Sequence, residues 1–166
     1  MRKRRTNTIA LFALFVVIAT SSPAYARSNE KIIRGQVIGI IDGDALRVVV
    51  DSKQVRVRLA EIDAPEMKQP FGNRSKQSLS DLCFWVEAEL VIRGKDQYGR
   101  KRARVICNGV DANAEQVKRG MAWVFDKHDK DPALVKLEEE ARAEKRGLWL
   151  DNHSIPPWQW RKTHRY

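Results

Sequence analysis

A chain of 166 residues has room for one domain with a real hydrophobic core, and not for two of comfortable size. Its 31 Lys and Arg against 21 Asp and Glu leave a formal charge of +10, a balance that favours a polyanionic partner through charge neutralisation and counterion release. The apolar run at residues 9–20 falls short of the ~20 residues that cross a bilayer, and no later segment is apolar for long, which argues against a membrane anchor.

In chain order, Arg2, Lys3, Arg4 and Arg5 precede that apolar run, and Ala24-Tyr25-Ala26 follows it as a small-x-small site. Together they read as a signal peptide, residues 1–26, cut after Ala26 and delivering the chain to the periplasm or outside the cell. Arg4-Arg5 keeps the twin-arginine route open beside the general one. Removing the segment takes four basic residues and no acidic ones, so the charge falls from +10 to +6 and the remainder stays basic. Cys83 and Cys107 then face an oxidising compartment, and one disulfide is the economical reading, a pair of buried thiols the alternative. Neither sits at zinc-ligand spacing from another Cys or a His.

Residues 27–35 are polar and read as a flexible lead-in, with the fold beginning at Gln36. Residues 36–41 and 45–50 are β-branched runs joined by Asp42-Gly43-Asp44, and Asp-Gly between such runs signals a hairpin. Residues 54–62 form a third run, in which Val55, Val57 and Leu59 alternate with Arg56 and Arg58 until Pro65 ends the strand. A helix over residues 73–83 carries Leu79, Leu82 and Cys83 at helical spacing. Residues 87–93 and 101–106 are two more strands around the turn Asp96-Gln97-Tyr98-Gly99-Arg100. Asp111 caps a short helix that stops at Gly120, and Asp131-Pro132 starts a longer one that ends at Gly147. Three strands, a helix, two strands and two helices is the order of a small closed barrel with helical additions, an α+β class with a mainly β core. The tail, residues 151–166, is basic and rich in Pro and Trp. Its prolines make it extended, and Trp158 and Trp160 either dock back on the domain or stack on bases.

Two segments concentrate the chemistry. Asp44 in the hairpin turn, Arg58 at the end of the third strand, and Asp63 and Glu66 around Ala64-Pro65 can hold a hard divalent cation against a phosphate, with Glu66 left to handle a water. Arginine offers a fixed fork of donors to two phosphate oxygens at once. Asp42-Gly43-Asp44 alone needs nothing beyond turn chemistry, and Arg58 and Arg100 alone could be solvated charges. His128, His153 and His164 show no metal spacing, and the polar group Asp126, His128, Asp129 and Asp131 is explained by a loop and a helix cap.

Asp42-Gly43-Asp44, the run from Arg58 through Asp63-Ala64-Pro65-Glu66, and Asp96 to Arg100, in this order and spacing, resemble the staphylococcal nuclease (thermonuclease) family over residues 36–150. The resemblance implies a five-stranded oligonucleotide-binding (OB-fold) barrel with about three helices. It also implies a Ca2+-dependent endonuclease acting on DNA and RNA and leaving 3′-phosphates and 5′-hydroxyls. Asp44, Asp63 and the carbonyl of Ala64 would hold the cation, Arg58 and Arg100 would clamp the phosphate, Glu66 would orient or deprotonate the water, and Tyr98 would line the nucleotide site. A monomer is the default for a small secreted enzyme. Three features depart from the familiar pattern: a shorter loop after Glu66 with Lys68, Arg74 and Lys76 left to steer the polyanion, Gln97 in place of a lysine, and no tyrosine in residues 121–128, where Trp123 or Phe125 is either a stacking or a core residue. A non-catalytic nucleic-acid-binding module on the same barrel is the alternative, though such modules commonly lose the acidic and arginine positions kept here.

Overall fold

The computed structural model describes residues 30–125 and 131–164. The expected signal peptide, and Asp126, His128 and Asp129, lie outside the described residues. Strands β1 (Ile32–Ile40), β2 (Ala45–Val50) and β3 (Lys53–Leu59) form an antiparallel meander, and β1 also pairs antiparallel with β5 (Glu87–Lys95), which pairs with β6 (Lys101–Cys107). A short parallel ladder between β3 and β6, Val57 to Lys101 through Leu59 to Ala103, closes the five strands into a barrel. Closure leaves these strands no free edge, and the inward residues Val37, Leu46, Val48, Val57, Leu59, Leu90 and Val105 fill the interior. Leu79 of α1 (Gly72–Cys83), Val117 of α2 (Ala112–Lys118) and Leu134 of α3 (Pro132–Ala143) extend that core outside the barrel. The expected OB-fold architecture is therefore present.

Several boundaries differ from expectation. The lead-in is not flexible throughout: Ile32 to Gly35 pair with Val91 to Ala88 as the first half of β1, Ile33 packs on the core, and Arg34 bonds Glu89 at 2.8 Å. Ile32 and Ile33 stand side by side among polar neighbours, so no period of two marks that half of the strand. The third run breaks at Ala60-Glu61, where Glu61 takes φ 66°, and resumes as β4 (Ile62–Asp63) paired with β8 (Trp123–Val124). β7 (Val110–Asp111) is a two-residue extension paired with β6. Two-residue strands carry too little periodicity to be seen in a sequence.

The caps follow expectation. Asp111 accepts from the amides of Asn113 and Ala114, and Asp131 accepts from Ala133 with Pro132 at the first helical position. The tail, however, is not extended. After a single 3-10 turn (Gly147–Leu150) it forms a fourth helix, α4 (Pro157–Thr163), because Pro157 sits at a helix start, where proline is favoured rather than disruptive. Trp158 stacks on Phe125 with ring centroids 5.0 Å apart, and Gln69 Nε2 donates to the Ile155 carbonyl at 2.5 Å, so the tail docks on the domain.

Cys83 at the end of α1 and Cys107 at the end of β6 are joined by a disulfide with Cα atoms 5.4 Å apart. Closing that loop contributes about 3 kcal/mol in the chain-entropy model.

Candidate active site

The β1–β2 connection is where the site begins. Asp44 N donates to Asp42 Oδ1 at 3.0 Å, and Ile41 N bonds the Ala45 carbonyl at 2.8 Å, so the turn holds its own shape. Two helices then pin it. Gln116 of α2, fully buried, donates through Nε2 to the Gly43 carbonyl at 2.7 Å and to the Ser75 carbonyl of α1 at 3.1 Å. A Cβ at Gly43 would lie 1.8 Å from Ser75 Oγ and 2.8 Å from Ala64 Cβ, so glycine is required there by close approach. The loop that carries Asp44 is thereby wedged between the barrel and α1.

The register of β2 and β3 sets Ala45 opposite Arg58, which brings Asp44 beside the Arg58 side chain. Arg58 Nη1 donates to Asp44 Oδ1 at 3.0 Å and Nη2 to Asp63 Oδ1 at 2.7 Å. Asp44 Oδ2 accepts from the Ala64 amide at 2.7 Å. Both aspartates are shut away from solvent, 2 % and 0 % exposed. The left-handed residue Glu61 and the β4–β8 pairing are what turn Asp63 inward after β3 ends.

Burial pushes the Asp44 carboxyl well above its usual range; Arg58 opposes, Asp42 and Asp63 push further up, and the Ala64 amide opposes weakly. Burial also works against the Arg58 charge, but Asp44 and Asp63 more than compensate and hold it protonated. Negative charge is thus concentrated in a desolvated space where it is expensive without a cation.

Glu66 lies at the rim, its side chain 38 % exposed, on a loop clasped by Gln69: Gln69 Oε1 accepts from the Glu66 amide at 3.2 Å, and Gln69 N donates to the Glu66 carbonyl at 2.8 Å. Its carboxylate meets Arg161 of α4, a contact that residue spacing did not indicate. Arg161 Nη1 donates to Glu66 Oε1 at 2.7 Å and to Asp63 Oδ1 at 3.2 Å, while Nη2 donates to Asp63 Oδ2 at 2.7 Å. Burial opposes the Arg161 charge, and its bonds to Asp63 and Glu66 overcome that, raising its pKa.

Arg100 and Tyr98 stand on the β5–β6 turn rather than among the carboxylates. Asp96 accepts from the amides of Tyr98 and Arg100 at 2.9 Å each and from Arg100 Nε at 2.5 Å. The Arg100 guanidinium lies 5.5 Å from the centre of the Tyr98 ring, and that ring is 75 % exposed. Both line a groove with Gln54, Arg56, Lys95 and Lys101, a basic surface on which an aromatic ring is presented to solvent. Since Arg58 pairs with Arg102 across β3 and β6, the turn sits next to the strand that carries Arg58.

The remaining candidates are structural. Trp123 packs edge-on against Trp149 with centroids 5.3 Å apart in a second small core with Leu148 and Ala141, and Phe125 is the platform for Trp158. Asp131 caps α3 and accepts from Arg104 Nη1 at 3.2 Å, as a helix cap and loop would have it. His153 is exposed beside Asp151, and His164 stacks on Trp160 at 3.7 Å.

Among the described residues no three His, Cys, Asp or Glu side chains converge as metal ligands; the buried Asp44 and Asp63 carboxyl groups supply hard oxygens of the kind a divalent cation takes, and those oxygens are bonded by Arg58, Arg161 and the Ala64 amide.

Residues 56–151 match the family model described as staphylococcal nuclease homologue. The chain is 38 % identical to Protein ParB of Escherichia coli over 98 % of its own length and 95 % of that protein. It is 40 % identical to an uncharacterized endonuclease of Haemophilus influenzae, covering 99 % and 89 % of the two chains, and 38 % identical to a micrococcal nuclease of Shigella flexneri, covering 91 % and 90 %.

Proposed function

The chain belongs to the staphylococcal nuclease homologue family, whose members here include endonucleases, and from that premise we propose that it is an exported, Ca2+-dependent endonuclease that hydrolyses phosphodiester bonds of DNA and RNA to 3′-phosphate and 5′-hydroxyl ends. The observation that carries the reading is the convergence of Asp44, Arg58 and Asp63 at the closed end of the barrel, with Glu66 at its rim. A basic chain suits a nucleic-acid substrate, and the Cys83–Cys107 disulfide suits an oxidising compartment such as the periplasm or the outside of the cell.

In this reading Asp44, Asp63 and the Ala64 carbonyl would hold the calcium ion. Bound there, calcium would neutralise charge on a phosphoryl oxygen of the substrate. Arg58, held rigidly by two carboxylates, presents the rest of its donor fork to the phosphate, and Arg100 approaches from the β5–β6 turn. Glu66 takes a proton from a water that attacks phosphorus. The P–O5′ bond breaks, and the departing 5′-oxygen takes up a proton, leaving the phosphate on the 3′ side. Charge builds on the phosphoryl oxygens as the bond breaks, so the two arginines act mainly on the transition state. Tyr98, exposed on the groove, stacks or bonds next to the scissile phosphate.

The direct test is digestion of single-stranded DNA and RNA with calcium, with magnesium and with chelator, followed by analysis of the product ends. Calcium-dependent cleavage leaving 3′-phosphates is expected. Folded protein that binds nucleic acid and cleaves none of it would overturn the catalytic reading in favour of a binding module.

A further inference from the structure

Asp63 and Glu66 are both already engaged, and by the same side chain. Arg161 covers both oxygens of Asp63 and one oxygen of Glu66, using Nη1 and Nη2 together. Among the described residues the site gathers Asp42, Asp44, Asp63 and Glu66 around two guanidinium groups, Arg58 and Arg161. Arg58 is fixed by strand register, with Ala45 opposite it and Asp44 and Asp63 on its fork. Arg161 is not: it arrives on a seven-residue helix near the end of the chain.

Taking the calcium reading of this site as its basis, we propose that Arg161 is an intramolecular counter-cation which competes with the divalent metal for Asp63 and ties up one oxygen of Glu66, so that metal loading and release of α4 are one linked equilibrium. The two cations compete for the same carboxylate. A divalent ion on Asp63 would share both oxygens with Arg161, and it repels a guanidinium within contact distance. Arg161 occupies one oxygen of Glu66, and its release frees both carboxylate oxygens for a water.

The attachment of α4 is suited to reversal. A helix of two turns is marginal alone, and this one lacks a side-chain cap at Pro156, so its order depends on docking. Docking rests on the Trp158–Phe125 stack, the Gln69–Ile155 bond, the burial of Pro157 and the Arg161 ion pairs. Short elements held by a few such contacts open at a small fraction of the global unfolding free energy. A protein whose binding-competent form is partly populated shows an affinity reduced by that fraction.

The test is calcium binding by calorimetry, in the absence of nucleic acid, combined with amide hydrogen exchange of residues 158–163. For the full chain, added calcium should accelerate exchange in α4. Arg161→Ala should bind calcium about tenfold more tightly and show fast α4 exchange before any calcium is added. Trp158→Ala leaves the Arg161 charge in place but loosens the helix, and it should also tighten calcium binding. Equal calcium affinity in all three proteins would overturn the competition. Tighter binding by Arg161→Ala alone, with α4 exchange in the unsubstituted protein unmoved by calcium, would reduce Arg161 to a background charge and overturn the linkage. No calcium binding by any of them would overturn the calcium reading itself, and this inference with it.

Discussion

Gly43→Ala tests whether the Asp44 loop is held by close packing against α1. The added Cβ would meet Ser75 Oγ at 1.8 Å, Ser75 Cβ at 2.7 Å and Ala64 Cβ at 2.8 Å, all well inside contact distance. Ser75 is fully buried and its Oγ donates to the Met121 carbonyl at 2.7 Å, so it cannot swing aside without leaving that carbonyl unpaired. Ala64 cannot retreat either, because its amide is committed to Asp44. The loop must move instead. Overpacking of this kind costs about 1–3 kcal/mol. In a domain of this size that corresponds to a fall in Tm of roughly 4–12 °C. A displacement approaching 1 Å at Asp44 misplaces a proposed cation ligand and should lower kcat/KM by about 10²-fold. Thermal unfolding by circular dichroism and steady-state cleavage of a fluorescent oligonucleotide measure the two effects. Stability and activity both equal to those of the unsubstituted protein would refute the argument that Gly43 is wedged. A loss of activity without a loss of stability would mean that the loop relocates freely.

The other expectations concern single groups. Glu66→Gln keeps the size of the side chain but removes the proposed base, so cleavage should fall by about 10²–10⁴-fold, as read by single-turnover kinetics; near-normal turnover would remove Glu66 from the mechanism. Burial raises the pKa of Asp96, but the bonds it accepts from the Arg100 side chain and from the Arg100 and Tyr98 amides outweigh this and leave it lowered. A carboxyl whose folded pKa lies below its unfolded one stabilises the fold above the unfolded value, about 4, and loses that contribution as pH falls through the folded value. Asp96→Asn should therefore be less stable than the unsubstituted protein at neutral pH, with the gap closing below about pH 4 in urea titrations; a gap independent of pH would deny Asp96 this role. Reducing the Cys83–Cys107 bond should cost about 3 kcal/mol in the same titrations. Free thiols titrating in the native, unreduced protein would contradict the bond.

How much was legible beforehand differs from feature to feature. The barrel strands were readable because Val55, Val57 and Leu59 alternate with Arg56 and Arg58, a period of two that only a half-buried strand satisfies. Asp111 and Asp131 announced their helices because a cap acts on amides two or three residues away. Site residues were legible where short segments carry them: Asp44, Arg58, Asp63 and Glu66 lie within 23 positions, and a family resemblance built on their spacing led to the family that the comparisons identify. The first half of β1 was not, because its partner β5 lies more than fifty residues away and its polar residues face outward. The helix in the tail was also hidden, since Pro156-Pro157 can open a helix as readily as it can keep a chain extended.

Sequence by itself determined the chemical inventory of this protein: the acidic turn, the arginines, the lone pair of cysteines and the basic balance are properties of composition and local order. Tertiary structure alone decided which charges meet. Arg161 reaches Glu66 across 95 positions and Asp63 across 98, and Gln116 reaches Gly43 across 73. Contacts at such separation leave no local periodicity, because they arise from how helices and barrel pack together, and packing is a property of the closed fold.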